Sequence, residues 1–486
     1  KTIYSNATEF TAEVEDVNAD KVYVNDEEKT EPFTLEEGTY SVKVTDLAGN
    51  ETVYTLVVDR TAPVLTWKDV EYTDGSTIYA NEIFTVNAID ANEIIEVSAN
   101  GHVRYNGWRA NGEGKYTIKV TDIAGNVATF TVIIDKTAPT LNLNGTSYTD
   151  SSKTIYSNAT EFTAEVEDVN ADKVYVNDEE KTEPFTLEEG TYSVKVTDLA
   201  GNETVYTLVV DRTNPTLKLN GTSYTDSSKT IYLNATEFTA EVEDANADKV
   251  YVNDEEKTEP FTLEEGTYSV KVTDLAGNET VYTLVVDRTA PVLTVKNNSI
   301  GENPYYSKIS FKLRDNIRLG KYILNGIEVD KSAGKWGDAN FDDEIKEKLH
   351  QGENTIELID MAGNKTEKTF IYDTIAPVLT VKNNSIGEDP YYSRISFDLS
   401  DNTKFKYYTI NGTEMTVTPT TWGEVYFITL REYLHQGENT IELIDMAGNK
   451  TTKTFIYDTV APALTLYKFD DENTVLEAGK FYNHTV

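Results

Sequence analysis

Aspartate and asparagine recur in this chain at spacings that would suit a hard divalent cation. Six times the sequence reads Asp-x-Ala-Gly-Asn, beginning at Asp46, Asp122, Asp198, Asp274, Asp360 and Asp445. Thirteen residues after each comes Asp-x-x-x-Pro, beginning at Asp59, Asp135, Asp211, Asp287, Asp373 and Asp458. Copies two to four carry a third acidic run upstream: Asp90-Ala-Asn92, Asp168-Val-Asn170-Ala-Asp172 and Asp244-Ala-Asn246-Ala-Asp248. Carboxylates, side-chain amides and backbone carbonyls supply the oxygens that Ca2+ accepts.

For these residues to meet, the chain must bring them to one place. In a two-sheet fold the loop between strands two and three and the loop joining the last two strands share one end, and the chain leaves at the other. The exit aspartate of one copy then meets two loops of the next. Asp59 meets Asp90, Asn92, Asp122 and Asn126; Asp135 meets Asp168, Asn170, Asp172, Asp198 and Asn202. Asp211 meets Asp244, Asn246, Asp248, Asp274 and Asn278. Asp287 meets Asp315, Asn316, Asp360 and Asn364, and Asp373 meets Asp401, Asn402, Asp445 and Asn449; these last two sets lack the Asp-x-Asn-x-Asp stagger. Three carboxylates so gathered repel by roughly 3–4 kcal/mol per pair at an effective dielectric of 20, and a cation reverses the sign. The competing reading is turn chemistry alone, since Asp and Asn make Asx turns and the motif glycine supplies a positive φ. An EF-hand is excluded, because Lys173 stands where its sharp turn needs glycine.

The elements that would position these groups are strands. The copies recur at 76, 76, 76, 86 and 85 residues, the mark of a tandem array. In the copy 137–212, apolar residues alternate through Thr140–Asn144, Phe162–Glu167, Lys173–Val176, Thr191–Val196 and Thr204–Val210, punctuated by Asn, Asp, Gly and Pro. Period-two runs of this length predict antiparallel β-sandwiches. Tyr192, with Tyr40, Tyr116 and Tyr268 at matching places, stands two residues before a core position, where a corner tyrosine belongs. The expected units are 1–60 (lacking its first strand), a divergent 61–136, 137–212, 213–288, longer 289–374 and 375–459, and the opening of another at 460–486. Phe341–Leu349 predicts a short helix inserted in the fifth copy, with Trp336 and Trp422 as core residues of the inserted connections. Linkers as short as Arg212-Thr213-Asn214-Pro215 predict an extended rod.

Tandem units carrying Asp-x-Ala-Gly-Asn and then Asp-x-Thr-Ala-Pro resemble the bacterial immunoglobulin-like repeats of surface adhesins, stalks and surface-layer proteins. The resemblance spans essentially the whole chain. It implies an all-β tandem array of immunoglobulin-like sandwiches, an extracellular or cell-wall location, and calcium at the junctions.

Composition narrows the function. With 43 Lys and Arg against 83 Asp and Glu, the formal charge is −40, which repels nucleic acid and anionic lipid and attracts divalent cations. There is no cysteine, so disulfide staples and thiol chemistry are excluded. No apolar run reaches the ~18 residues of a transmembrane helix; a signal peptide or wall anchor would lie outside this stretch. His102, His350, His435 and His484 are isolated, and near-identical carboxylate sets along an array do not read as catalytic sites. A Lys–Asn isopeptide bond would need a buried lysine beside a carboxylate. The expectation is a non-enzymatic stalk or filament unit acting through reach and stiffness. The runner-up is an adhesin gripping glycan or a host protein through divergent copies, with Trp108 and Trp336 among its candidate contacts, and copy two the best single candidate. A third class is the accessory rod of a wall-degrading enzyme. The segment from Ala461, which opens a further unit, would also suit strand addition to the head of another copy.

Overall fold

Alternation decides most of the strands. The computed structural model describes residues 1–30, 32–182, 184–258, 260–329, 336–468 and 471–477. Strand is their main regular element, with only two short helices, in tandem sandwiches of the expected all-β, immunoglobulin-like class. The chain forms two compact units, one from Lys1–Thr216 with Val242–Lys249 and Thr273–Thr280, the other from Leu217–Glu241, Val250–Val272 and Val281–Val486.

In the first unit the third copy shows the pattern whole. Strand Thr140–Leu143 buries Leu141 and Leu143, turns at Asn144, and pairs with Thr146–Tyr148 and Ala164–Glu167. Facing this sheet is a five-stranded one, in the order Ile155–Ser157, Glu203–Val210, Gly190–Asp198, Ala171–Val176, Glu179–Lys181. Every pairing is antiparallel except Ile155↔Leu208, where the edge strand runs parallel to its neighbour. Residues of one parity (Val194, Val196, Tyr206, Leu208) go inward and the other parity stays wet. Each such side chain contributes roughly 1.5–3 kcal/mol by leaving water. Phe162 departs slightly from its expected run, pairing instead with Phe185 in a two-stranded piece where the rings stack at 5.9 Å. In the first copy residues 12–15 are not a strand.

The corner tyrosine is present. Tyr192 donates its hydroxyl to Glu188 O at 3.0 Å, and Tyr40, Tyr116 and Tyr268 repeat the bond to the residue four before them. The fifth and sixth copies do the same task differently. Asn354 and Asn439, both buried, donate through Nδ2 to His350 O and His435 O, and accept the histidine N–H in return. Both bonds run to the backbone of residues 350 and 435, so they do not depend on the imidazole.

In the second unit each long copy has a six-stranded sheet. In the fifth its order is Ile300–Glu302, Tyr305–Lys308, Lys365–Tyr372, Gly352–Asp360, Leu319–Leu324, Ile327–Val329. It faces strands Val292–Val295, Phe311–Arg314 and Trp336–Ala339. The inserted helix forms at Asp343–Lys348, where Asp342 caps it by accepting the Ile345 N–H at 3.1 Å and Ile345 enters the core. A shorter helix, Phe427–Leu430, replaces it in the sixth copy. Trp422 corrects the expectation made for it: it is 58 % exposed. Gly423 and Val425 take the inward parity of that strand, which leaves residue 422 outside. The Trp336 side chain lies outside the described residues. Among the described residues no lysine is buried.

Candidate metal centres

Each Asp-x-Ala-Gly-Asn segment closes a hairpin on itself. In the third copy Asp198 N donates to Asn202 O at 3.1 Å and Gly201 N to Asp198 O at 3.2 Å. The carboxylate then caps the loop, accepting Asn202 N at 2.8 Å on Oδ1 and Asn202 Nδ2 at 2.7 Å on Oδ2. The neighbouring loop is an Asx turn in which Asn170 N donates to Asp168 Oδ1 at 2.7 Å. A bond from Leu199 N to Asn170 O at 2.8 Å ties the two loops together. Both loops therefore form without help from any other copy.

The exit aspartate of the preceding copy is held between them. Asn202 Nδ2 donates to Asp135 O at 3.0 Å and Asn170 Nδ2 to Asp135 Oδ2 at 2.6 Å, while Thr137 N caps Asp135 Oδ1 at 3.1 Å. The same grip recurs with Asn126, Asn92 and Thr61 on Asp59, and with Asn278, Asn246 and Thr213 on Asp211. Asn364 and Asn449 take the backbone carbonyls of Asp287 and Asp373 in the long copies.

Five carboxylate triads result: Asp59, Asp90 and Asp122; Asp135, Asp168 and Asp198; Asp211, Asp244 and Asp274; Asp287, Asp315 and Asp360; Asp373, Asp401 and Asp445. In each, one oxygen per residue lies within 4.8 Å of the others. The fifth and sixth copies thus assemble a triad without the stagger of the shorter ones. Asp315 and Asp401 each also keep one buried carboxylate oxygen without a hydrogen-bond partner.

Not every residue read from the sequence joins in. Asp172 sits at the bulge between Ala171 and Lys173 and accepts only a long contact from Thr197 Oγ1 at 3.4 Å; Asp248 repeats this with Thr273. Both stand outside the triads. The asparagines turn their amide nitrogens to the carboxylates, so they hold the candidate ligands in place. Two partners had no clear signal in sequence. Thr403 Oγ1 lies 2.6 Å from Asp373 Oδ2 and 2.9 Å from Asp401 Oδ2, one hydroxyl between two carboxylates. Arg212, recurring as Arg60 and Arg288 directly after the exit aspartate, reaches Ala159 O at 2.5 Å and Leu187 O at 2.8 Å and fixes the direction of exit.

Burial raises the cost of charge here. It pushes the Asp445 carboxyl up to about 6, with the charges of Asp373 and Asp401 adding to the effect. Asp90, Asp287 and Asp401 are also raised, burial first and neighbouring aspartates after it.

No family model matches the chain, and no curated protein does. Among solved structures it is similar to a tetra-tandem repeat in the extending region of a large adhesion protein, at 16 % identity over 79 % of this chain and 99 % of that one, with a TM-score of 0.22. It is also similar to the N-terminal eight immunoglobulin domains of Down Syndrome Cell Adhesion Molecule (9 % identity, 94 % and 83 % covered, TM-score 0.18). A third likeness is the human Desmocollin-1 ectodomain (11 %, 95 % and 98 %, TM-score 0.15). Likenesses at this level carry no argument about what the chain binds. No helix among the described residues is long and apolar enough to cross a membrane.

Proposed function

We propose that this chain is an extracellular structural stalk or filament segment of a bacterial surface, divided into the units expected from its period, with calcium at its junctions. The observation that carries the reading is the repeated triad, one carboxylate from the exit of a copy and two from the loops of the next. Separations within 4.8 Å imply roughly 3–4 kcal/mol of repulsion per pair at an effective dielectric of 20. That repulsion works against docking each copy on its neighbour. A bound Ca2+ turns it into attraction and completes its shell with carbonyls and water. Stiffness would then follow the metal. The reading is not enzymatic: the acidic groups recur in near-identical sets along the array.

X-ray scattering and thermal melting of the chain in calcium and in EGTA test this. Calcium should raise the melting temperature and narrow the distribution of conformers, with a calorimetric stoichiometry approaching the five triads. An unchanged scattering curve and melting temperature would remove calcium from the account.

One observation favours a second reading, an adhesin gripping glycan or protein through copy two. Arg104 lies over the half-buried Trp108 ring at 5.1 Å, beside Val103 and Tyr105, which are 71 % and 67 % exposed. Trp108 itself packs on the core and is less available than its sequence position implied. A glycan array probed with the chain and with Tyr105→Ala decides it: binding lost in the variant supports the adhesin, and no binding supports the spacer.

A further inference from the structure

The fifth copy carries a hairpin, Ile300–Glu302 with Tyr305–Lys308, that the short copies lack. Its second strand serves its own sandwich, with Tyr306 buried and paired to Tyr372. Its first strand does not. It pairs only with the second, and Ile300 is left 51 % exposed.

What that strand touches is the sixth copy. Glu302 N donates to Met446 O at 3.2 Å, Ser307 Oγ donates to Ala447 O at 2.7 Å, and the Glu302 carboxylate pairs with Lys406 Nζ at 2.7 Å. Gly301, at φ +116°, is required first by its own hairpin, where a β-carbon would lie 2.3 Å from Tyr305 O, and that β-carbon would also crowd Ala447 O across the junction at 3.1 Å. The Ile300 methyl closes over Gly448. Apart from the pair with Lys406, which lies on strand Phe405–Ile410, these contacts grip the same Asp-x-Ala-Gly-Asn turn whose carboxylate belongs to the Asp373 triad, and none of them passes through a carboxylate of that triad. At the junctions of the first three copies the corresponding neighbours of the turn are single asparagines: Asn6 beside Gly125 and Asn81 beside Gly201.

We propose that the 300–308 hairpin is a metal-independent clamp, which keeps the sixth copy seated on the fifth when the other junctions loosen. The contrast with those junctions rests on the calcium reading above; the clamp itself does not. The chain would then contain a permanently coupled pair beside junctions that respond to the ion.

The absence of cysteine makes the test clean. Nitroxide pairs are placed in the whole chain at Lys115→Cys with Thr191→Cys, across the second and third copies, and at Thr369→Cys with Thr454→Cys, across the fifth and sixth; all four positions are exposed. Pulsed dipolar distances are recorded in calcium and in EGTA. The expected result is that EGTA broadens the 115/191 distribution and leaves 369/454 narrow. Adding Glu302→Lys and Ser307→Ala should broaden 369/454 in EGTA, and a further Lys406→Glu should recover part of its narrowness. Equal broadening of both pairs in EGTA overturns the clamp, as does a narrow 369/454 peak that survives Glu302→Lys with Ser307→Ala. Should neither pair respond to EGTA, calcium is what falls, and the hairpin variants alone decide the clamp.

Discussion

Asp46 and Asp445 hold the same position in the same hairpin and titrate in opposite directions. Hydrogen bonds from Asn50 hold the exposed Asp46 carboxyl below its ordinary range. Asp445 accepts the same two bonds from Asn449, but it is fully buried beside Asp373 and Asp401, and burial raises it to about 6. Its ordinary value is 3.8. Between the two values the folded chain holds a proton that the unfolded chain has released, so stability falls as pH rises through that window. The contribution is complete below the lower value and lost above the upper one, on the order of 3 kcal/mol. In EGTA, hydrogen exchange of residues 437–457, corrected for intrinsic rates, should slow on going from pH 7 to pH 5. Calcium should reverse the order, because the metal needs the ionised carboxylates. Slower exchange at pH 7 in EGTA would contradict the buried-charge account.

At the scale of elements, the paired loops are the working part. Gly125 sits at φ +93° in the second-copy hairpin, a conformation that costs a residue with a β-carbon about 1–2 kcal/mol. Gly125→Ala should speed exchange across 120–128 and weaken calcium at the Asp59 site by about tenfold, a figure that follows if the strain is released by letting the hairpin move. Calorimetry would show one site weaker than the rest; five unchanged sites would mean that the hairpin does not position Asp122. This element was legible in sequence because Asp, Gly and Asn each do a local job within five residues. So was the corner tyrosine, whose bond spans four residues. The buried Asn354 and Asn439 that replace it were not legible, since a polar residue at a core position reads as surface until its partners are seen. Trp422 was misread for the converse reason: a large apolar side chain suggests a core, and only strand parity showed it outside.

At the scale of the whole molecule, the charge of −40 offers an explanation of any calcium effect that involves no site at all. A diffuse self-repulsion is screened once the Debye length falls to ~3 Å in 1 M salt, whereas partly buried triads are screened much less. In EGTA, 1 M NaCl should therefore recover a smaller part of the melting temperature than millimolar calcium does. Full recovery by NaCl would assign the effect to the general acidic surface rather than to the triads.

Sequence by itself determined the period, the strand alternation, the all-β class and the hairpins, because each rests on residues a few positions apart. It also named the three members of every triad, Asp315 and Asp401 included, since their order follows from how a sandwich is threaded. Only the tertiary structure decided which carboxylates approach and which stand aside, as Asp172 and Asp248 do. It alone brought Thr403 between two carboxylates and seated Glu302 against Lys406. Those outcomes depend on where loops of different copies meet in space, and a local pattern does not encode that distance.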